Sequence, residues 1–162
     1  MPPSVVARLG KELKALQQSP DPDIDLHPLR ADSLFAWEAA LRGPPGTVFA
    51  GGTYRLLLRV PQDYPMLPPT AHFTTRVFHP NVNFETGAVC LDILKNRWSP
   101  AWTLISVCHA IRTLLASPEA DSPYNCDAGN LLRAGDMEGY ASLVRMYAIM
   151  YADAPPLPPI EP

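Results

Sequence analysis

Three residues that could take part in acyl transfer lie within twelve positions of one another. Cys90 follows a turn-like Thr-Gly pair, and His79 and Asn81 lie upstream in the segment HPNVN. A thiolate is a nucleophile, an amide N–H can donate to a developing oxyanion, and an imidazole can act as a base. The residues alone leave Cys90 open as a core side chain, a metal ligand, half of a disulfide or a nucleophile. Because a proline follows His79, we expect a buried, hydrogen-bonded structural histidine rather than a base.

The cysteines of the chain do not form a metal-binding or disulfide pattern. Cys90, Cys108 and Cys126 are odd in number and contain no Cys-x-x-Cys pair, which is typical of a reducing compartment. His109 would point about 100° away from Cys108 on a helix, so the two make a poor zinc site. We therefore expect no metal, and Cys108 is predicted to be a core thiol on an apolar helix stripe.

Composition limits the classes of function. The chain has 162 residues, 47% of them apolar, and a net charge of −3, which indicates one globular domain without the basic field that nucleic acid requires. No apolar run approaches about 18 residues, so direct membrane insertion is not expected, and any membrane location would depend on a partner. The proline-rich end predicts a flexible tail over residues 153–162, which leaves 1–152 as the folded domain.

The surrounding segments predict an α+β fold. Helical spacing with Ser4 as a cap indicates a helix over SVVARLGKELKALQQ. Strands are predicted for DIDLHPL, LFAWEAAL, TYRLLLRV and TAHFTTRVF, and helices for TLISVCHAIRTLLAS and, capped by Asp136, GDMEGYASLVRMYAIMYA. Strands grouped between helices favour an antiparallel four-stranded meander. Cys90 follows the last strand, in the irregular part of the chain where loops on a rigid scaffold often carry function.

Several ordered motifs resemble those of ubiquitin-conjugating enzymes. They are RLGKELKAL, GPPGTVFAGGTYRLLLRVP, YPMLPPTAHFTTRVFHPN, VCLDIL and WSPAWTL, and the resemblance covers about residues 4–151. It implies the UBC fold, with an N-terminal helix, a four-stranded antiparallel meander sheet, an active-site loop and C-terminal helices. It also implies that Cys90 accepts ubiquitin from the activating enzyme as a thioester and passes it on with a RING-type ligase. No cofactor is implied, since ATP is used upstream.

The resemblance implies roles for further residues. Asn81 supports the oxyanion or orders the active-site loop, and the resemblance does not decide which. The activating enzyme is met by Arg8 and Lys11, and the ligase by Met66, Ser99, Pro100 and Ala101. Met66 replaces a bulkier aromatic side chain of the family, which leaves the set of ligases open.

The residues after Glu119 differ from the usual family pattern. Ser122 stands where many members carry an acid that helps an incoming lysine. Either Asp121 supplies that acid, or the acceptor chemistry differs and a cysteine thiol is accepted as well as, or better than, a lysine.

The segment from Asp121 to Tyr140, DSPYNCDAGNLLRAGDMEGY, resembles the fungal peroxisomal branch of the family, a ubiquitin-conjugating peroxin. This implies the recycling of import receptors by a cytoplasmic enzyme held at the cytosolic face of the peroxisomal membrane by a membrane-anchored peroxin. We expect that partner to bind between Asp121 and Tyr151, where the last helix carries Tyr140, Tyr147 and Tyr151. The alternatives are a general enzyme of cytosolic protein turnover, a non-catalytic ubiquitin-binding scaffold, and a cysteine hydrolase that uses Cys90 and His79.

Overall fold

Four antiparallel strands form one meander sheet in the order β1-β2-β3-β4. The structure is a computed structural model that describes residues 4–90, 96–121 and 123–156. The strands are β1 (Ile24–Arg30), β2 (Ser33–Arg42), β3 (Thr53–Arg59) and β4 (Thr70–Phe73). Trp37 of β2 pairs with Leu58 of β3, and both side chains are fully buried. The predicted alternation of the two central strands is thus confirmed, and it turns one face of the sheet towards the core.

Within the described part of the chain, four helices accompany the sheet, and their starts are set by side-chain caps. They are α1 (Val5–Gln18), α2 (Leu104–Ala116), α3 (Cys126–Arg133) and α4 (Met137–Tyr151). Ser4 and Asp136 accept hydrogen bonds from backbone N–H groups in the first turns of α1 and α4, as the sequence predicted. Helix α3, capped by Asn125, was not predicted individually, because eight residues are too few to display a clear helical period.

The last strand is shorter than predicted. It ends at Phe73 instead of continuing through Phe78. The next two residues, Thr74 and Thr75, hydrogen-bond to Arg55 of β3 outside the regular strand pairing. The Thr75 hydroxyl accepts from the backbone N–H of Arg55 at 2.9 Å, and the N–H of Thr74 donates to the Arg55 carbonyl at 2.9 Å. Val77 and Phe78 are then both buried, which the period of two in a half-buried strand does not allow.

Packing at the C-terminal end extends past the predicted boundary at residue 152. The backbone N–H of Thr53 donates to the Ala152 carbonyl at 2.8 Å, and the N–H of Ala154 donates to Ala148 at 3.2 Å. Ala154 is buried, so the first residues of the predicted tail belong to the folded domain. Residues 157–162 lie outside the described part of the chain. No helix within the described ranges is both long and apolar enough to cross a membrane.

Candidate active site

A tight loop between β4 and Cys90 brings the cysteine next to Asn81. The chain reverses at Gly87, whose φ of 75° suits glycine and where a Cβ would lie 1.9 Å from the Phe73 carbonyl oxygen. Val82 and Val89 form an isolated antiparallel bridge, and the Cys90 N–H donates to the Asn81 carbonyl at 2.9 Å. The fold-back that the sequence required for Cys90 and Asn81 to meet is therefore present. Cys90 is 9% exposed.

The Asn81 side chain holds a second segment against this loop. Its Nδ2 donates to the Glu119 carbonyl at 2.7 Å, and its Oδ1 accepts from the Glu119 N–H at 2.8 Å. Asn81 itself is 2% exposed, whereas Glu119 is exposed, so the two bonds are partly buried. The amide orders the segment after α2 in this structure, and one hydrogen on Nδ2 is left for a further acceptor.

His79 is a structural residue, as its sequence context predicted. Its Nδ1 accepts from the Asn81 N–H at 3.0 Å, which leaves Nε2 to donate to the Leu114 carbonyl at 2.8 Å. Burial lowers the pKa of His79 to about 4, despite backbone hydrogen bonds to Leu114 and Leu115 that act in the opposite direction. Both ring nitrogens are occupied, so His79 cannot act as the base of a Cys90 hydrolase in this arrangement.

The buried neutral state of His79 predicts that the protein loses stability in mild acid. An ordinary histidine has a pKa near 6.5, whereas the pKa of His79 in the folded protein is about 4. Between these two values the unfolded chain binds a proton at His79 that the folded chain does not. Stability is therefore full above the unfolded value and falls as pH decreases through this window. We expect His79 to account for about 2 kcal/mol of lost unfolding free energy between pH 7 and pH 5, measured by urea denaturation.

A His79→Gln variant is the control, because its amide can still donate to Leu114 but has no proton to gain. The variant should be less stable at neutral pH, yet its stability should fall less steeply between pH 7 and pH 5. Parallel curves for the two proteins would contradict the assignment.

Asp121, one of the two candidates for the acid that helps an incoming lysine, lies in a segment that is fixed at two points. Glu119 is bound to Asn81, and the N–H groups of Tyr124 and Asn125 donate to the Pro80 carbonyl at 2.8 and 3.1 Å. Asp121 lies between these anchors with an exposed side chain, on the segment that Asn81 binds. Ser122 lies outside the described residues.

The other two cysteines differ from Cys90 in their surroundings. Cys108 is fully buried in α2, and its pKa is raised to about 12 by burial and, to a smaller extent, by Asp21. Cys126 is exposed at the start of α3, and all three thiols are free. Within the described ranges, no three or more His, Cys, Asp or Glu side chains are grouped so that they could hold a metal ion.

The basic side chains on α1 differ in how far they are available to a partner. Lys11 is exposed, whereas the Arg8 guanidinium donates to Glu12, Pro100 and Trp102 at 2.7–3.0 Å. The family resemblance implies that both meet the activating enzyme, but in the structure the Arg8 guanidinium bonds to groups of its own chain. Glu12 was not predicted from the sequence, although a Glu four residues after an Arg on a helix is a recognisable pairing signal.

The residues assigned to the ligase lie on two adjacent loops. Met66 follows the cis Tyr64-Pro65 peptide and is 71% exposed. Trp98 Nε1 donates to the Pro65 carbonyl at 3.0 Å, which joins the Met66 loop to the loop of Ser99, Pro100 and Ala101. The structure therefore brings the four residues to one side of the molecule, as binding to a single partner requires.

A second surface feature is an aromatic groove beside α3 and α4. It consists of two adjoining cavities of about 330 and 650 Å³, which share Phe78, Asp127 and Tyr147. Its larger apolar side chains include Phe78, Phe84, Leu131, Leu143 and Tyr147, and its acidic residues are Glu85, Asp127 and Asp136. Tyr147 is half-buried, with its ring 4.9 Å from Phe84. Tyr140 is buried and packs on Phe78, so this tyrosine cannot be an exposed anchor for a partner.

Comparisons with known proteins agree with this geometry. A profile of the family described as ubiquitin-conjugating enzyme matches residues 8–148. The chain is 52% identical over 147 residues to the protein PEROXIN-4 of Arabidopsis thaliana. This alignment covers 90% of this chain and 94% of the relative. The chain is 51% identical to the ubiquitin-conjugating enzyme E2 pex4 of Dictyostelium discoideum, over 91% of this chain and 99% of the relative.

Solved structures extend the comparison to the fold. H. polymorpha Pex4p, a ubiquitin-conjugating enzyme crystallised in complex with the soluble domain of Pex22p, is 39% identical and superimposes with a TM-score of 0.85. The match covers 93% of this chain and 99% of that one. A ubiquitin-conjugating enzyme from Plasmodium yoelii, described as putative, gives a TM-score of 0.86 at 33% identity, over 96% and 99% of the two chains. The UBC fold implied by the sequence motifs is confirmed.

Proposed function

This chain belongs to the ubiquitin-conjugating enzyme family, and we propose that its Cys90 carries ubiquitin as a thioester to a peroxisomal acceptor. The observation that carries the proposal is the placement of Cys90 against Asn81, inside the motif order of the family and on the matching fold. Full-length similarity to two peroxin-4 proteins supports the peroxisomal assignment over general cytosolic turnover. The intact cysteine argues against a non-catalytic scaffold.

The proposed chemistry is two successive acyl exchanges. The Cys90 thiolate attacks the carbonyl carbon of ubiquitin bound to the activating enzyme, whose own cysteine leaves as a thiolate. An acceptor thiolate or amine then attacks the Cys90 thioester, and Cys90 leaves as a thiolate. An amine acceptor also loses a proton, which a nearby carboxylate such as Asp121 eases.

A thiol acceptor fits the local sequence better than an amine. Reference pKa values give roughly 7% thiolate for cysteine but about 0.1% free amine for lysine near pH 7.4. A lysine therefore gains more from a neighbouring acid, and Ser122 cannot supply one. We propose an import receptor cysteine as the preferred acceptor, with lysine as the slower alternative that depends on Asp121.

The function is tested by incubating the protein with activating enzyme, ATP and a panel of ubiquitin-like proteins, followed by non-reducing gels. Ubiquitin should form a reductant-sensitive adduct, and the loaded enzyme should discharge to free cysteine faster than to free lysine. Loading by a different ubiquitin-like protein alone, or rapid hydrolysis without an acceptor, would overturn the proposal.

The aromatic groove is the proposed contact for a membrane-anchored peroxin that holds the enzyme at the cytosolic face of the peroxisome. H. polymorpha Pex4p was crystallised with the soluble domain of Pex22p. By analogy, we expect the partner of this chain to bind through a soluble domain as well. Among the described residues that line the two cavities, Glu85, Asp127 and Asp136 are charged and none is basic. The groove therefore fits a partner segment with apolar and basic side chains.

Introducing a charge into the groove should release the enzyme from membranes. Leu131 lines the larger cavity and is half-buried, so Leu131→Glu places a carboxylate among apolar and acidic groups. Loss of one well-packed contact costs about 2 kcal/mol, or roughly thirtyfold in affinity. We expect the variant in the soluble fraction after cell fractionation, with loading at Cys90 retained.

The matched control is Met150→Glu, which adds the same charge to an exposed apolar position on α4 outside both cavities. This variant should stay with the membrane fraction. Equal retention of both variants would exclude the groove as the anchor site.

A further inference from the structure

A buried cluster joins α1 to both of the loops assigned to the ligase. Its centre is Glu12, whose side chain is 6% exposed. One carboxylate oxygen accepts from Arg8 Nε at 2.8 Å and from the Tyr64 hydroxyl. The other accepts from the backbone N–H of Leu104, at the first turn of α2, at 2.8 Å. A buried carboxylate is stable only when it has such partners. The need to pair Glu12 therefore fixes the positions of Arg8, Tyr64 and Leu104 relative to one another.

Arg8 continues the cluster into the second loop. Its Nη1 donates to the Pro100 carbonyl at 3.0 Å and its Nη2 to the Trp102 carbonyl at 2.7 Å. The guanidinium carbon also lies 5.6 Å from the centre of the Tyr64 ring, so the same group contacts both loops. Three guanidinium nitrogens thus donate to groups of the same chain, and the bond to Pro100 lies at the surface. Lys11 and Lys14 are the exposed basic residues of this helix.

We propose that Arg8 and Glu12 are positioning residues for ligase-stimulated transfer, which fix the Met66 loop and the Ser99–Ala101 loop relative to each other. This rests on the proposed binding of a RING-type ligase to these loops. Tyr64 precedes Met66 by two residues, and Pro100 lies within the second loop. Both loops therefore take their position from one Arg-Glu pair on α1. Contact with the activating enzyme then falls to Lys11, not to Arg8.

The test is the Arg8→Lys variant. Lysine keeps the positive charge on α1, but one ammonium group cannot reach Glu12, Pro100 and Trp102 together in the way a planar guanidinium does. The enzyme is first loaded to completion, and discharge is then followed with and without a RING domain chosen because it stimulates the wild-type protein. We expect stimulated discharge to fall about tenfold, since small misplacements of contact groups have costs of this order. Discharge without the RING domain should change much less.

Two further variants separate positioning from a general loss of structure. Lys14→Ala removes an exposed basic side chain from the same helix and should leave both rates unchanged. Tyr64→Phe removes one of the bonds to Glu12 and should give an intermediate loss of stimulation. Trp98 lies next to Tyr64, with ring centres 5.9 Å apart, so the fluorescence of the protein should change in Arg8→Lys but not in Lys14→Ala.

The outcomes distinguish the inference from the function on which it rests. If no RING domain stimulates the wild-type enzyme, the proposed ligase surface is wrong and the inference falls with it. If the wild type and Arg8→Lys are stimulated equally, the ligase surface stands and the positioning role is overturned. A parallel fall in stimulated and unstimulated discharge would also overturn it, because that pattern indicates a structural role alone.

Discussion

Replacing Cys90 with serine should abolish the reductant-sensitive ubiquitin adduct. A serine hydroxyl is a far weaker nucleophile than a thiolate at neutral pH, so Cys90→Ser can form at most an oxyester that survives reducing agent. The measurement is loading with activating enzyme, ATP and ubiquitin on gels run with and without reductant. An adduct on the Cys90 variant that reductant removes would place the thioester on another cysteine.

The other two cysteines are unequal controls for this experiment. Burial raises the pKa of Cys108 to about 12, so only about 10⁻⁵ of that thiol is ionised at neutral pH, and Cys108→Ala should load normally. Cys126 is exposed, so its accessibility does not exclude it. Cys126→Ser is therefore the decisive control, and it should load like the wild type.

Asn81→Ala should slow discharge of the loaded enzyme by about 10²-fold and lower the unfolding free energy by about 2 kcal/mol. Two hydrogen bonds to Glu119 are lost, and the segment that carries Asp121 keeps only its second attachment, at the Pro80 carbonyl. The measurements are single-turnover discharge after complete loading, and urea denaturation of the unloaded protein.

A Glu119→Pro variant separates the two roles that the sequence left open for Asn81. It removes the N–H that donates to Asn81 Oδ1 but leaves the Asn81 amide in place to meet an oxyanion. We expect it to reproduce most of the discharge defect, because in the structure both Nδ2 and Oδ1 of Asn81 bond to the Glu119 backbone. A variant that discharges at the wild-type rate, beside a slow Asn81→Ala, would assign Asn81 to the oxyanion instead.

The sequence was sufficient for features whose cause is local. The alternation in β2 and β3, the cap at Ser4 and the cap at Asp136 each depend on residues a few positions apart, and each is confirmed. Cys90 was selected by its place in an ordered motif, which needs no coordinates. The turn that brings Cys90 back to Asn81 was predicted from the Thr-Gly pair that precedes the cysteine.

The site itself depends on contacts that no local pattern reports. Asn81 meets Glu119 across 38 residues, and Arg8 meets the Trp102 carbonyl across 94. Such partners are set by how the helices close over the sheet, which a period of 2 or 3.6 residues does not encode. Arg8 was assigned to a partner protein because of its place in a motif that resembles the family's, and only the tertiary structure showed that its guanidinium bonds to Glu12, Pro100 and Trp102 of the same chain.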